Sequence, residues 1–243
     1  MSKSKKSVLL IPDVHGRDFW KEGLKKRKKE ETIIFLGDYT DPYPGDGIWR
    51  HTIPGTMREI FDTPNAVFLI GNHDLPYIFN NFPTCREDYD PERRREIRRI
   101  FEDNWNKIHV TWRDPENKII YSHAGLLQQA YLHYGGETRT PDWVCDYFEE
   151  AWKDKDTKKL SGLSRVSWQR GGDYSNGSLV WADIREHVEE ESLPGEYWWD
   201  GFQVFAHSRL REPGIIIERE RYAMIDCQRH VRFYPATHRF EIL

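Results

Sequence analysis

The chain has 243 residues and a mass of 29.1 kDa, a length at which α/β folds commonly form one core, so a second catalytic domain is not expected. Its 36 Lys and Arg against 40 Asp and Glu leave a formal charge of −4, which excludes the net attraction on which nonspecific nucleic-acid binding depends. Mean hydropathy is −0.80 and no run approaches the ~20 apolar residues of a membrane span, so a membrane partner is not expected either.

Three short apolar runs, residues 7–12, 32–36 and 66–70, are rich in Val, Ile and Leu and have the length of strands covered on both faces. Each leads directly into polar residues: Asp13-Val14-His15-Gly16, Gly37-Asp38-Tyr39-Thr40-Asp41 and Gly71-Asn72-His73-Asp74. After the first, Phe19-Trp20 opens an expected helix that the basic run Lys25-Lys26-Arg27-Lys28-Lys29 closes, where cations favour the C-terminal end of the dipole. After the third, Asp90-Pro91-Glu92 supplies a cap, a first-turn proline and an acid to an arginine-rich helix whose buried face is Ile97, Ile100, Phe101 and Trp105. Residues 108–112 and 118–122 flank the turn-like 113–117 and read as a hairpin, followed by Ser122-His123-Ala124-Gly125.

Helices are expected over 126–134 and 141–153, and the polar residues 154–176, with Gly171-Gly172, read as a loop-rich cap. The run 203–205 leads into Phe205-Ala206-His207-Ser208, and the runs 215–218, 223–226, 231–234 and 240–243 read as strands completing a second sheet. The late tryptophans Trp143, Trp152, Trp168, Trp181, Trp198 and Trp199 are expected to pack the cap and this sheet, with base stacking as the alternative. Cys85, Cys145 and Cys227 are dispersed and odd in number, so neither a disulfide framework nor a zinc ribbon is indicated. The start Met1-Ser2-Lys3-Ser4-Lys5-Lys6 leads into an apolar run too short for a signal peptide, and a cytoplasmic location is expected.

Strand ends at one sheet edge are where open α/β sheets bind ligands. Asp and His donors with an Asn carbonyl suit Mn²⁺, Zn²⁺ or Fe better than Mg²⁺ or Ca²⁺. In their order, the five polar segments resemble the calcineurin-like metallophosphoesterases, and among them the phosphoprotein phosphatase branch that also contains diadenosine tetraphosphate hydrolases. That family's pattern reads Asp-x-His-Gly, Gly-Asp-x-x-Asp, Gly-Asn-His-Asp/Glu, His-Gly-Gly and a late Gly-His or Ala-His. The resemblance runs from about residue 7 to about residue 227.

The resemblance implies an α/β/β/α two-sheet sandwich with a helical and loop cap: one domain over 1–243, with 126–200 as a cap-like insertion. It implies two divalent ions, Mn²⁺ foremost with Fe or Zn as alternatives. Asp13, His15 and Asp38 would hold the first; Asp38, Asn72, His123 and His207 would hold the second, with Asp38 bridging. Ions about 3.5–4 Å apart suit in-line displacement by a hydroxide held between them. His73 would be the general acid, oriented by Asp41, while Asp74 supports the loop.

Phosphate oxygens also call for arginine, whose fork matches their geometry. The family places Arg directly after the residue aligned with Asp41, but this chain has Pro42. Arg170, upstream of Ser178-Leu179-Val180-Trp181, is the first substitute candidate and Arg165 the second; Arg17 and Arg209 flank the expected mouth with a weaker family warrant. Many diesterases of the superfamily carry a second His where Arg209 stands, so a phosphomonoester is favoured as substrate, with Ser/Thr phosphoprotein as the physiological form. The alternatives are a dinucleoside polyphosphate hydrolase and a non-catalytic pseudophosphatase that binds without turnover.

Overall fold

Alternation along the short strands sends successive side chains to opposite faces, and that sorting builds four layers. The computed structural model describes residues 6–84, 89–134, 140–191, 199–210, 214–218, 221–225 and 229–243. In chain order these form β1 Val8–Ile11, α1 Phe19–Lys25, β2 Thr32–Phe35, α2 Ile53–Phe61, β3 Ala66–Leu69, α3 Leu75–Ile78, α4 Arg94–Asp103, β4 Ile108–His109, β5 Thr111–Asp114 and β6 Ile119–Ser122. There follow α5 Gln128–His133, α6 Pro141–Lys153, α7 Thr157–Leu160, α8 Ile184–Glu191, β7 Phe202–Phe205, β8 Ile215–Glu218, β9 Tyr222–Ile225, β10 Val231–Tyr234 and β11 Arg239–Ile242.

One sheet has the order β11-β10-β1-β2-β3-β4 and the other β5-β6-β7-β9-β8. Leu10, Ile34, Val67 and Leu69 of the first sheet pack against Tyr121, Val204 and Ala223 of the second. The alternate residues Leu9, Ile11, Ile33, Phe35 and Phe68 turn the other way, toward Trp20 of α1, Met57 and Ile60 of α2, and Ile100 and Phe101 of α4. Each such side chain, fully buried, contributes about 1.5–3 kcal/mol. On the far face of the second sheet, Ile184 of α8 packs on Phe205, Tyr222 and Met224. The expected α/β/β/α sandwich is thereby present.

The sequence pattern misplaced four features. Residues 108–112 do not act as one hairpin strand: β4 pairs in parallel with β3 in the first sheet, while β5 pairs with β6 in the second. The break falls at Val110, where Glu149 of α6 accepts both the Val110 and the Thr111 amides at 2.7 Å and so replaces ladder partners. The last two strands also change sheet, because β10 pairs antiparallel with β1 and β11 with β10, leaving only β8 and β9 to complete the second sheet. α1 stops at Lys25, so Lys26 to Lys29 lie beyond it. α4 begins at Arg94, after a turn in which Asp90 Oδ1 accepts the Glu92 and Arg93 amides.

Four helices were unforeseen, the one-turn α3 and α7 and the longer α2 and α8. α2 buries Ile53, Met57 and Ile60 at helical spacing behind Pro54. α8 is opened by a reciprocal cap in which Asp183 Oδ1 accepts the Arg185 amide and Glu186 Oε2 accepts the Asp183 amide. Cys145 is a buried free thiol, with burial pushing its pKa up to about 12; Cys85, Cys227 and Trp198 lie outside the described residues.

Candidate active site

The parallel run β1-β2-β3 and the parallel pair β6-β7 deliver their following loops to one edge of the sandwich. Asp13 and His15 follow β1, Asp38 and Asp41 follow β2, Asn72 and His73 follow β3, His123 follows β6 and His207 follows β7. All eight are buried. Four of them hold left-handed backbone that side chains rarely adopt: His15 at φ 46°, Asp38 at 54°, Asp41 at 52° and His207 at 69°. Such strain persists only where surrounding structure fixes it, and it concentrates at functional sites.

The strand-end loops are fixed to one another by Asp74. Its carboxylate accepts the amides of Asp38 and Tyr39 at 2.9 Å, Gly71 at 3.0 Å and Thr40 at 3.2 Å, joining the loops after β2 and β3 as the sequence reading anticipated. Gly71 is required for this approach, since a Cβ there would lie 2.1 Å from Asp38 Oδ1. Burial, with the nearby Asp38 carboxylate, pushes the Asp74 pKa up to about 7. The His123 loop is held separately: Gln203 of β7 accepts the Leu126 amide at 2.8 Å and donates to the Leu126 carbonyl at 3.0 Å.

Lone pairs converge at the centre. His123 Nδ1 donates to the Leu36 carbonyl at 2.7 Å, so Nε2 is the ring atom turned to the centre. That atom faces Asn72 Oδ1 at 2.9 Å, His207 Nδ1 at 3.0 Å and Asp38 Oδ2 at 3.3 Å. His15 Nδ1 is likewise committed to the Thr40 and Asp41 carbonyls, and its Nε2 lies 3.5 Å from Asp38 Oδ2 with no hydrogen-bond partner. Asp13 Oδ1 accepts the His207 amide at 3.2 Å, while its Oδ2 is buried and unpartnered. Unpaired buried acceptors are costly, so these atoms fit a cation between them.

Two donor groups emerge, Asp38 with His123 and His207, and Asp38 with His15 and His73, sharing Asp38. The residues therefore fit a dinuclear divalent site. The electrostatics agree: burial pushes His15 down to about 3, keeping it a neutral donor, and pushes Asp13 up to about 6. Burial also opposes charge on His123, but Asp38 and Asp13 overcome it and hold that ring up at about 9, as expected where carboxylates attract a cation.

His73 differs from the other histidines. Its amide donates to Asp38 Oδ1 at 2.9 Å, and its Nδ1 pairs with Asp41 Oδ2 at 3.1 Å. Its ring stands edge-on to His15 with centroids 4.8 Å apart, beside the first group of donors. The other Asp41 oxygen accepts the Tyr77 hydroxyl, a contact that the sequence reading missed.

The four candidate arginines separate. Arg170 ion-pairs with Asp183 at 2.7 Å and donates to Ser208 Oγ at 2.8 Å, next to His207. Arg165 stacks over Tyr174 at 4.3 Å. Arg17 donates to the Asp13 carbonyl at 2.6 Å, and its guanidinium lies 5.9 Å from the Tyr43 ring centre. Arg209 is exposed, lies 5.6 Å from the same ring, and has no carboxylate in ion-pair range among the described residues. Tyr43, also missed from sequence, packs on His15 with centroids 4.3 Å apart and so places both arginines beside the donor cluster. Its signal was the aromatic residue directly after Pro42.

A family model described as calcineurin-like phosphoesterase matches residues 6–207. Among solved structures, a cold-active protein-tyrosine phosphatase of a psychrophile, Shewanella sp., aligns with a TM-score of 0.57 at 13% identity, covering 98% of this chain and 80% of that one. A protein serine/threonine phosphatase from Saccharomyces cerevisiae with similarity to human phosphatase PP5 aligns with a TM-score of 0.51 at 15% identity, covering 100% and 81%. At these identities the likeness is one of fold. No curated protein sequence matches the chain.

Proposed function

Because this chain belongs to the calcineurin-like phosphoesterases, we propose that its metal-dependent phosphoester hydrolysis is directed at phosphomonoesters, with phosphorylated Ser or Thr of proteins as the physiological form. The observation that carries the monoester reading is Arg209: a guanidinium with no carboxylate in ion-pair range among the described residues, beside Tyr43 and next to the His207 turn, suits the extra anionic oxygen that a monoester has and a diester lacks. The two similar structures, a tyrosine and a serine/threonine protein phosphatase by description, support a protein substrate without deciding its residue.

When bound, two divalent ions, with Mn²⁺ proposed on the mixed Asp, His and Asn donor set, would supply Lewis-acid stabilisation and an acidified water. Asp13, His15 and Asp38 would hold one ion, and Asp38, Asn72, His123 and His207 the other. Arg209 and Arg17 orient the phosphoryl group. Arg170 acts behind them by holding Ser208 and the His207 carbonyl in place. His73 is the general acid: Asp41 holds its Nδ1, and the opposite nitrogen gives a proton to the leaving oxygen as the P–O bond breaks. Segment 126–200 acts as the cap beside this mouth, with Tyr174 and the 60%-exposed Trp168 on its surface. Among the described residues no helix is long and apolar enough to cross a membrane, and a cytoplasmic site of action is part of this reading.

The test is hydrolysis of p-nitrophenyl phosphate, bis-p-nitrophenyl phosphate, a phosphoserine peptide and diadenosine tetraphosphate by metal-stripped protein reloaded with Mn²⁺. The expected result is turnover of both monoesters that Asp38→Asn abolishes, and turnover of the phosphoserine peptide that His73→Ala also abolishes, with a smaller loss on p-nitrophenyl phosphate. Dominant diester or dinucleotide turnover would overturn the substrate assignment, and bound metal without turnover would make the protein a pseudophosphatase.

A further inference from the structure

We propose that Tyr77 is a positioning residue for His73, acting through Asp41, and that it makes the site competent for poor leaving groups such as a serine alkoxide. The inference rests on the assignment of His73 as general acid. Tyr77 stands one helical turn after His73, on α3, and is 1% exposed. Its hydroxyl donates to Asp41 Oδ1, while Asp41 Oδ2 holds His73 Nδ1 at 3.1 Å. The same hydroxyl accepts the Asp90 amide at 2.8 Å, so its proton and a lone pair are both engaged. Asp90 in turn caps the turn before α4, and the Tyr77 ring packs against Tyr89 with centroids 4.9 Å apart.

The physical role follows from carboxylate geometry. The terminal torsion of an aspartate is broad, so a carboxylate held at one oxygen can rotate and take its partner with it. A second hold at Oδ1 fixes the carboxylate plane and thereby aims the His73 ring. Burial, reinforced by Asp41, raises the Tyr77 pKa, which keeps the phenol a donor.

In the step concerned, His73 Nε2 gives its proton to the leaving oxygen. That oxygen takes the bonding pair of the breaking P–O bond, and Nδ1–H stays on Asp41 Oδ2. Aim matters most when the leaving oxygen is basic; a good leaving group departs without the proton. Tyr77 therefore selects by leaving group, a behaviour that a merely structural tyrosine would not show.

Tyr77→Phe keeps the ring and removes only the hydroxyl. With Mn²⁺-loaded protein, kcat on a phosphoserine peptide is expected to fall about 10–100-fold, part of the ~10²–10⁴-fold ordinarily supplied by a general acid. On p-nitrophenyl phosphate kcat should fall less than about threefold, with metal content unchanged and the melting temperature lower by about 2–8 °C, since the Asp41 oxygen and the Asp90 amide lose this partner. An equal loss on both substrates, or loss of bound metal, would overturn the proposal and make Tyr77 a packing residue. Asp41→Asn should reproduce the same selectivity more strongly; if it slows both substrates alike, the relay is refuted even where Tyr77→Phe is poorly folded. Absence of turnover in the unaltered protein would instead overturn the catalytic reading on which the relay depends.

Discussion

The donor cradle and the mouth above it are built on different principles. In the cradle the side chains stand just after strands, Asp74 ties together the loops after β2 and β3, Gln203 holds the loop after β6, and buried nitrogens and oxygens point at shared centres. At the mouth, Arg17, Tyr43 and Arg209 come from three loops, are partly or fully exposed, and meet through cation–π contacts of 5.6–5.9 Å. Contacts of that kind are worth about 0.5–1 kcal/mol when exposed. A cradle assembled from strand ends is thus rigid and demands an ion, whereas a mouth assembled from loops can vary while the chemistry below it is retained.

Asp38 is the strongest place to break the cradle. Its Oδ2 faces both His15 and His123, and its Oδ1 accepts the His73 amide, so Asp38→Asn removes a charge that both donor groups share. Turnover should fall to background, well beyond the ~10–100-fold typical of losing a metal ligand's supporting partner. Metal titration of the variant should show both sites weakened; retention of two tightly held ions would break the assignment of Asp38 as the bridge.

The mouth should yield smaller effects that leave metal content unchanged. A charge-assisted hydrogen bond is worth about 1.5–3 kcal/mol, so Arg209→Ala should lower kcat/KM on p-nitrophenyl phosphate about 10–150-fold. Arg209→Lys should recover little, because an ammonium cannot reproduce the planar fork. Arg165→Ala tests the contrast: its guanidinium is stacked on Tyr174, and the expected loss is below about threefold on the same substrate. If Arg165 matters more than Arg209, the mouth belongs to the cap rather than to the loops after β2 and β7.

The same contrast explains what could be read from sequence. The candidate donors were legible as a cluster because short Val- and Ile-rich strands mark their own ends and polar residues follow them: Asp13, His15, Asp38, Asn72, His123 and His207 all meet in the cradle. Tyr43 and Tyr77 were not legible. Nothing local distinguishes a tyrosine that packs from one whose hydroxyl or face is aimed by a loop 30 or more residues away, as Tyr77 is at Asp41. Sheet membership failed for a related reason: β10 and β11 have the same apolar pattern in either sheet, and only the pairing of Val8 with Phe233 decides between them. At Val110 the deciding carboxylate comes from Glu149, 39 residues downstream.

A last difference lies beneath the cradle, at His187, and it concerns stability rather than turnover. Its ring stacks on Phe205 at 4.5 Å, and its Nε2 donates to the Ala124 carbonyl at 3.0 Å, supporting the loop that carries His123. Burial pushes its pKa down from 6.5 to about 4. The folded ring stays neutral while the unfolded ring takes a proton below 6.5, so its contribution is fully present above 6.5 and is lost as pH falls toward 4, by roughly 3 kcal/mol. His187→Gln keeps a donor for Ala124 but cannot titrate. Urea unfolding at pH 7 and pH 4.5 should therefore show a smaller acid-induced loss in the variant than in the unaltered protein, with phosphatase activity at pH 7 within about threefold. Equal acid sensitivity in both would place the proton uptake elsewhere, on groups that the cradle itself holds.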